Sequence, residues 1–136
     1  MALVTGASSG IGAATALAIA RHGGSVALVA RRTDRLEELM AAIGEEGGTA
    51  LALTADLRDA AQVTAAVEKA ADHFGRLDVL VNNAGYGVRA AVEESDPEDW
   101  EQMVDINVKA VLRMSHAALP HLLRAAADGP RASPTW

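Results

Sequence analysis

An α/β fold built on a doubly wound parallel sheet is what this sequence predicts, on three observations. Short apolar runs of strand length alternate strictly with stretches of helical periodicity. A glycine-rich turn, Thr5-Gly6-Ala7-Ser8-Ser9-Gly10-Ile11-Gly12, joins the first apolar run to the first helical stretch. Polar and glycine residues gather where the later runs end: Arg31 and Arg32, then Asp56, then Asn82-Asn83-Ala84-Gly85.

The first strand is Ala2-Leu3-Val4, and the helix after the glycines runs to Arg21-His22 and stops at Gly23-Gly24. Ser25 to Ala30 is apolar almost throughout, as a strand covered on both faces must be. The second helix carries Leu36, Leu39, Met40 and Ile43 at helical spacing and closes at Gly47-Gly48. Thr49 to Thr54 is the third strand. Val63, Val67, Ala70 and Phe74 mark one face of the third helix, which stops near Gly75, and Asp78 to Val81 is the fourth strand. Crossovers that contain a helix give parallel strands with right-handed connections, and the expected strand order is 3-2-1-4. Ligands of such sheets bind beyond the carboxyl ends of the strands, where the order reverses. That is where Gly6 to Gly12, Arg31, Asp56 and Asn82 to Gly85 converge.

Residues 86–95 read as a loop. A long helix starts near Ser95 or Asp96, with Pro97 in its first turn, where a missing N–H does no harm. Its apolar stripe is Trp100, Met103, Val104, Val108, Val111, Leu112, Leu119 and Leu122, and the acids around its start suit the helix dipole. Pro120 is expected to loosen its last turns. Residues 128–136, rich in breakers and without periodicity, read as an irregular, disordered tail to one domain spanning 1–127.

Composition excludes several functions. A net charge of −6 with scattered arginines is unsuited to a nucleic-acid surface. Without cysteine there is no disulfide, thiol nucleophile or cysteine metal site, and the four histidines lack ligand spacing, so no metal is expected. No apolar run is long enough to span a bilayer and no signal-peptide pattern occurs, which predicts a soluble, cytoplasmic protein. The glycine turn points to an anion. Glycines let the backbone turn tightly and approach a ligand, and the free N–H groups of a helix start face a phosphate. The spacing here, G-x-x-x-G-x-G, differs from the commoner dinucleotide pattern G-x-G-x-x-G.

Taken with Asp56-Leu57, Asn82-Asn83-Ala84-Gly85 and Asn107 in the long helix, this turn resembles the short-chain dehydrogenase/reductase family, NAD(P)-dependent oxidoreductases with a Rossmann fold. The motifs stand in the family's order and spacing, and the likeness runs from residue 1 to about residue 127. The resemblance implies that Gly6, Ser8, Ser9, Gly10, Ile11 and Gly12 hold the cofactor's phosphates and adenosine ribose. It implies that Asp56 accepts a hydrogen bond from the adenine amine, with Leu57 beside it. Asn83, Ala84 and Gly85 would floor the cofactor cleft, Asn82 would tie the fourth strand to its surroundings, and Asn107 would be the catalytic asparagine whose backbone holds a relay water.

Charge bears on which nicotinamide cofactor is taken. An enzyme that selects NAD places an acid after the second strand, about 20 residues beyond the glycines. Here Ala30 is followed by Arg31 and Arg32, and a guanidinium binds a 2′-phosphate that a carboxylate would repel. This favours NADP(H), with Arg31 the better candidate; NAD(H) stays open. Asp34, in the following helix, is expected to point away.

The family's chemistry also needs a serine after a fifth strand and a Tyr-x-x-x-Lys pair. The one tyrosine, Tyr86, is followed four residues later by Ala90, the lysines are Lys69 and Lys109, and Ser133 falls in the tail. The expectation is therefore an NADP(H)-dependent oxidoreductase acting on a carbonyl or alcohol substrate, represented by its cofactor half and inactive alone. The full-length enzyme is expected to form homo-oligomers. Truncation would leave the fourth strand as a sheet edge, and Val104, Val108, Val111 and Leu112 as an uncovered apolar face. The alternatives are a non-catalytic nucleotide-binding or heterodimerising module, or a fragment without function.

Overall fold

The computed structural model describes residues 1–129. Strands and helices alternate as β1 (Ala2–Thr5), α1 (Gly10–Arg21), β2 (Val26–Ala30), α2 (Thr33–Glu45), β3 (Ala50–Thr54), α3 (Ala60–Phe74) and β4 (Val79–Val81). After β4 come a 3-10 turn at Val92–Glu94, α4 (Pro97–Val104), a π turn at Asp105–Lys109 and α5 (Ala110–Asp128). All strand pairs are parallel and the order is β3-β2-β1-β4, as the sequence predicts.

Register explains the two-sided core. Leu3 lies opposite Ala27 and Leu80, and Val4 opposite Leu28 and Val81. Successive side chains point to opposite faces of a sheet. Leu3, Ala27 and Val29 therefore meet Val63, Val67 and Met114, while Val4, Val26 and Leu28 meet Ala16, Ala20, Leu36 and Ile43. Fully burying each leucine or valine contributes about 1.5–3 kcal/mol, which is what fastens the helical layers to the sheet. β4 pairs only with β1 among the described residues, and Val79 is half exposed.

The long helix departs from the sequence reading in two ways. The first is its start-up: the segment before it is not all loop, because Val92–Glu94 forms a 3-10 turn. Asp96 then caps α4, accepting from the Glu98 N–H at 3.0 Å, and Pro97 takes the first helical position. The second concerns its faces. α5 buries Ala110, Met114, Ala118 and Ala125, whereas Val104, Val108, Leu112, Leu119 and Leu123 are exposed and Trp100 is partly so. The helix has two apolar faces, and the small-residue one packs closely on Ala66 and Ala70 of α3. The π turn also adds a residue to one turn, so spacing counted across 105–109 does not follow a single line.

Pro120 lies inside the helix, and α5 continues past it to Asp128. Arg76 helps to hold that end, donating from Nη2 to the carbonyls of Ala125 (3.3 Å) and Gly129 (3.1 Å) while paired with Asp78. Asp128 thus belongs to α5, and the rest of the expected tail from residue 130, with Ser133, lies outside the described residues. Among the described residues no helix is long and apolar enough to cross a membrane.

Candidate functional site

The carboxyl ends of the strands open into a cleft of about 510 Å³. Its walls come from the turn after β1 (Gly6, Ser8, Ser9), the end of β2 (Ala30, Arg31, Arg32), the loop after β3 (Ala55, Leu57, Arg58), the loop after β4 (Asn83 to Tyr86), and Gln102 and Ile106 of the long helix.

Thr5, buried at the end of β1, organises the floor. Its Oγ1 accepts from the backbone N–H groups of Asn83 (3.0 Å) and Ala84 (3.1 Å), and donates to the Val81 carbonyl (3.3 Å). The Asn83 carboxamide donates back to the carbonyls of Thr5 (3.1 Å) and Gly6 (3.4 Å). This closeness is why two of the glycines are there. A Cβ on Gly6 would lie 2.8 Å from the Ala84 Cα, and one on Gly12 would lie 2.3 Å from the Gly6 carbonyl oxygen. Gly10 differs: it has open space but a positive φ of 57° at the start of α1. Gly10, Ile11 and Gly12 form the first turn of α1 and do not line the cleft; the Ile11 side chain faces solvent.

Ser9 precedes α1 but makes no side-chain cap bond. Instead the Ser8 and Ser9 hydroxyls each accept from Arg32 Nη2 at 3.0 Å. Two hydroxyls, a guanidinium and free amides of a helix start therefore stand together. Of the two arginines, the one brought against the glycine turn is Arg32, not Arg31, the better candidate from sequence. Arg31 lines the cleft near Asp56, whose carboxylate it helps to keep charged.

Asp56 sits between two lining residues, Ala55 and Leu57, and is fastened to Arg58. That hydrogen-bonded guanidinium outweighs burial and holds the Asp56 carboxyl down to about 2. Further along, Asn82 Nδ2 donates to Ser115 Oγ (3.2 Å), tying the end of β4 to α5. Asn107 lies within the π turn and not on the cleft wall. Its Oδ1 accepts from the Tyr86 N–H (2.9 Å) and its Nδ2 donates to the Tyr86 carbonyl (2.8 Å). The Tyr86 hydroxyl donates to Asp99 Oδ1 (3.1 Å), and that bond, with burial and the carboxylate's charge, pushes the phenol above its ordinary range. Arg58, Tyr86, Gln102 and Ile106 escape the sequence reading. For Arg58 a signal existed, an arginine two residues after the aspartate; for the other three none did.

A family profile described as short chain dehydrogenase matches residues 1–129. The chain belongs to the short-chain dehydrogenase family. Similar proteins include D-threitol dehydrogenase of Mycolicibacterium smegmatis, 41% identical over 125 residues, which are 92% of this chain and 48% of that protein. Among solved structures, the alcohol dehydrogenase from the archaeon Thermococcus sibiricus complexed with 5-hydroxy-NADP superposes with a TM-score of 0.87 at 39% identity, covering 90% of this chain and 53% of that one. L-sorbose reductase from Gluconobacter frateurii complexed with NADPH and L-sorbose gives 0.83 at 37% identity, covering 89% and 46%. This short-chain dehydrogenase chain spans about half the length of the curated relatives it matches. Arg32, Ser8 and Ser9 line the cleft with donors that fit the phosphates of a dinucleotide such as those solved neighbours carry.

Proposed function

We propose that this chain, in a domain spanning residues 1–127, is the NADP(H)-binding half of an oxidoreductase that transfers hydride between the nicotinamide and a carbonyl or alcohol substrate. The observation that carries the NADP(H) preference is Arg32 held over Ser8 and Ser9, two residues beyond Ala30, which stands where an NAD enzyme presents an acid. Two neighbours of known structure also carry NADP-type cofactors, which supports the same reading.

The bound cofactor supplies the hydride; the protein's part is binding and orientation. The α1 amides, Gly6, Gly10, Ile11 and Gly12 shape the diphosphate seat. Arg32, with Arg31 beside it, would hold the 2′-phosphate by charge-assisted bonds, with the Ser8 and Ser9 hydroxyls as further donors. Asp56 accepts from the adenine amine with Leu57 alongside. Asn83, Ala84 and Gly85 floor the cleft. Asn107, its side chain committed to Tyr86, would hold a relay water through its backbone. Tyr86 is no general acid: its hydroxyl is given to Asp99, and Ala90 stands four residues on. Residues 1–136 contain no Tyr-x-x-x-Lys pair, so the chain by itself binds cofactor without turnover. The exposed apolar stripe on α4 and α5 supports homo-oligomerisation of the full-length enzyme.

Fluorescence titration with NADPH and NADH tests this reading. NADPH should bind at least about tenfold tighter, the worth of one charge-assisted contact, and Arg32→Ala should erase that margin more completely than Arg31→Ala. Equal affinity for both cofactors, or NADPH-dependent reduction of a carbonyl compound by the purified chain, would contradict it.

A further inference from the structure

Asp56 is more heavily engaged than a lone acceptor at a cleft wall needs to be. Its Oδ1 accepts from the Arg58 backbone N–H and from Nε, both at 3.0 Å; its Oδ2 accepts from Nη2 at 2.7 Å and shares Nε at 3.1 Å. The surrounding loop is closed by its own bonds. The Asp56 N–H donates to Gln62 Oε1 (2.9 Å), the Gln62 carboxamide donates to Asp59 Oδ2 (3.2 Å), and Asp59 Oδ1 caps α3 through the Ala61 and Gln62 N–H groups. Arg113 of α5 donates to the Arg58 carbonyl at 2.7 Å, which fixes Arg58 itself from a second element.

Three N–H groups on a carboxylate with about four lone-pair positions leave it one acceptor position to offer. A fork of two guanidinium nitrogens also fixes the plane of the carboxylate, which a single contact would leave free to rotate. Such an acceptor, rigid and ionised at neutral pH, selects a ring that presents an N–H donor over one that presents a carbonyl oxygen. Adenine offers an exocyclic amine at that position; hypoxanthine offers oxygen.

We propose that Arg58 is a positioning residue for the base of the dinucleotide: it presets Asp56 and so enforces adenine over hypoxanthine. This rests on the reading that the cleft binds NADP(H). Arg58 touches no reacting atom; it acts through Asp56.

The test compares reduced NADPH with its deaminated, hypoxanthine-containing analogue, both followed by nicotinamide fluorescence on the full chain. The wild type should favour NADPH, and Arg58→Gln should weaken NADPH about tenfold while leaving the analogue within about twofold, so that the ratio collapses. Asp56→Asn should collapse the same ratio, and the double variant should lose no more. Lowering the pH should weaken NADPH at a higher pH in Arg58→Gln than in the wild type, because its Asp56 protonates sooner. A variant that melts early is replaced by Arg58→Lys, which keeps the charge without the fork and should fall between the two. An unchanged ratio in a folded Arg58 variant, or a tighter grip on NADPH, overturns the proposal while leaving the cofactor site intact. Failure of the wild type to bind either compound overturns the cofactor reading instead.

Discussion

Thr5 and Asn83 hold each other twice: the Asn83 N–H reaches Thr5 Oγ1 at 3.0 Å, and its carboxamide reaches the Thr5 carbonyl at 3.1 Å. The ends of β1 and β4 are thereby locked at the base of the cleft. Thr5→Val keeps the shape but leaves the Asn83 and Ala84 N–H groups without their acceptor. The expected loss is roughly 2–3 kcal/mol in denaturant unfolding, with Thr5→Ser much closer to the wild type. A valine variant as stable as the wild type would show that the lacing contributes nothing.

Gly12 and Gly10 should respond very differently to alanine. A Cβ on Gly12 meets backbone at 2.3 Å, so Gly12→Ala must push β1, β4 or α1 apart and should abolish NADPH binding and cooperative melting. Gly10→Ala meets nothing within 4 Å and bears only the cost of its positive φ, about 1–2 kcal/mol. Paired melting curves and cofactor titrations decide between them; similar behaviour of the two would refute the packing argument.

Acid should expose the Arg58–Asp56 pair. The Asp56 carboxyl lies at about 2 in the fold against 3.8 ordinarily, so the unfolded chain takes up a proton first as pH falls. Its stabilising contribution is therefore complete above about pH 5 and lost as the pH drops through about 2. The stability difference between wild type and Asp56→Asn should be flat from neutral pH to about pH 5 and shrink below it. A difference that grows on acidification would reverse the assignment.

Association should follow the outward stripe of the long helix. Val108 and Leu112 are exposed, so Val108→Lys and Leu112→Glu should shift sedimentation toward monomer while changing stability by no more than about 0.5 kcal/mol. A wild-type chain that stays monomeric at high concentration would remove the expectation.

The strands and their order were legible because each apolar run and its glycine stop are local signals, as with Val26–Ala30 after Gly23-Gly24. Asn83 to Gly85 could be placed at the cleft from sequence because they follow a strand beside β1. Which of Arg31 and Arg32 stands against the glycine turn was not legible. Neighbouring side chains diverge, and only the folded distance to Ser8 and Ser9 separates them. The buried face of α5 was obscured in another way. Periodicity weighted toward leucine and valine selects the bulkier face, while the fold buries Ala110, Ala118 and Ala125, where two backbones approach. Tyr86 and Asn107 meet across a loop, and no local pattern encodes that meeting.

The sheet order carries a kinetic corollary. β1 is flanked on both sides and wholly buried, whereas β4 is three residues long with a single neighbour among the described residues. Deuterium should therefore enter the amides of β4 early, through fraying that leaves the remaining strands paired, and reach those of β1 last, only when the whole domain opens.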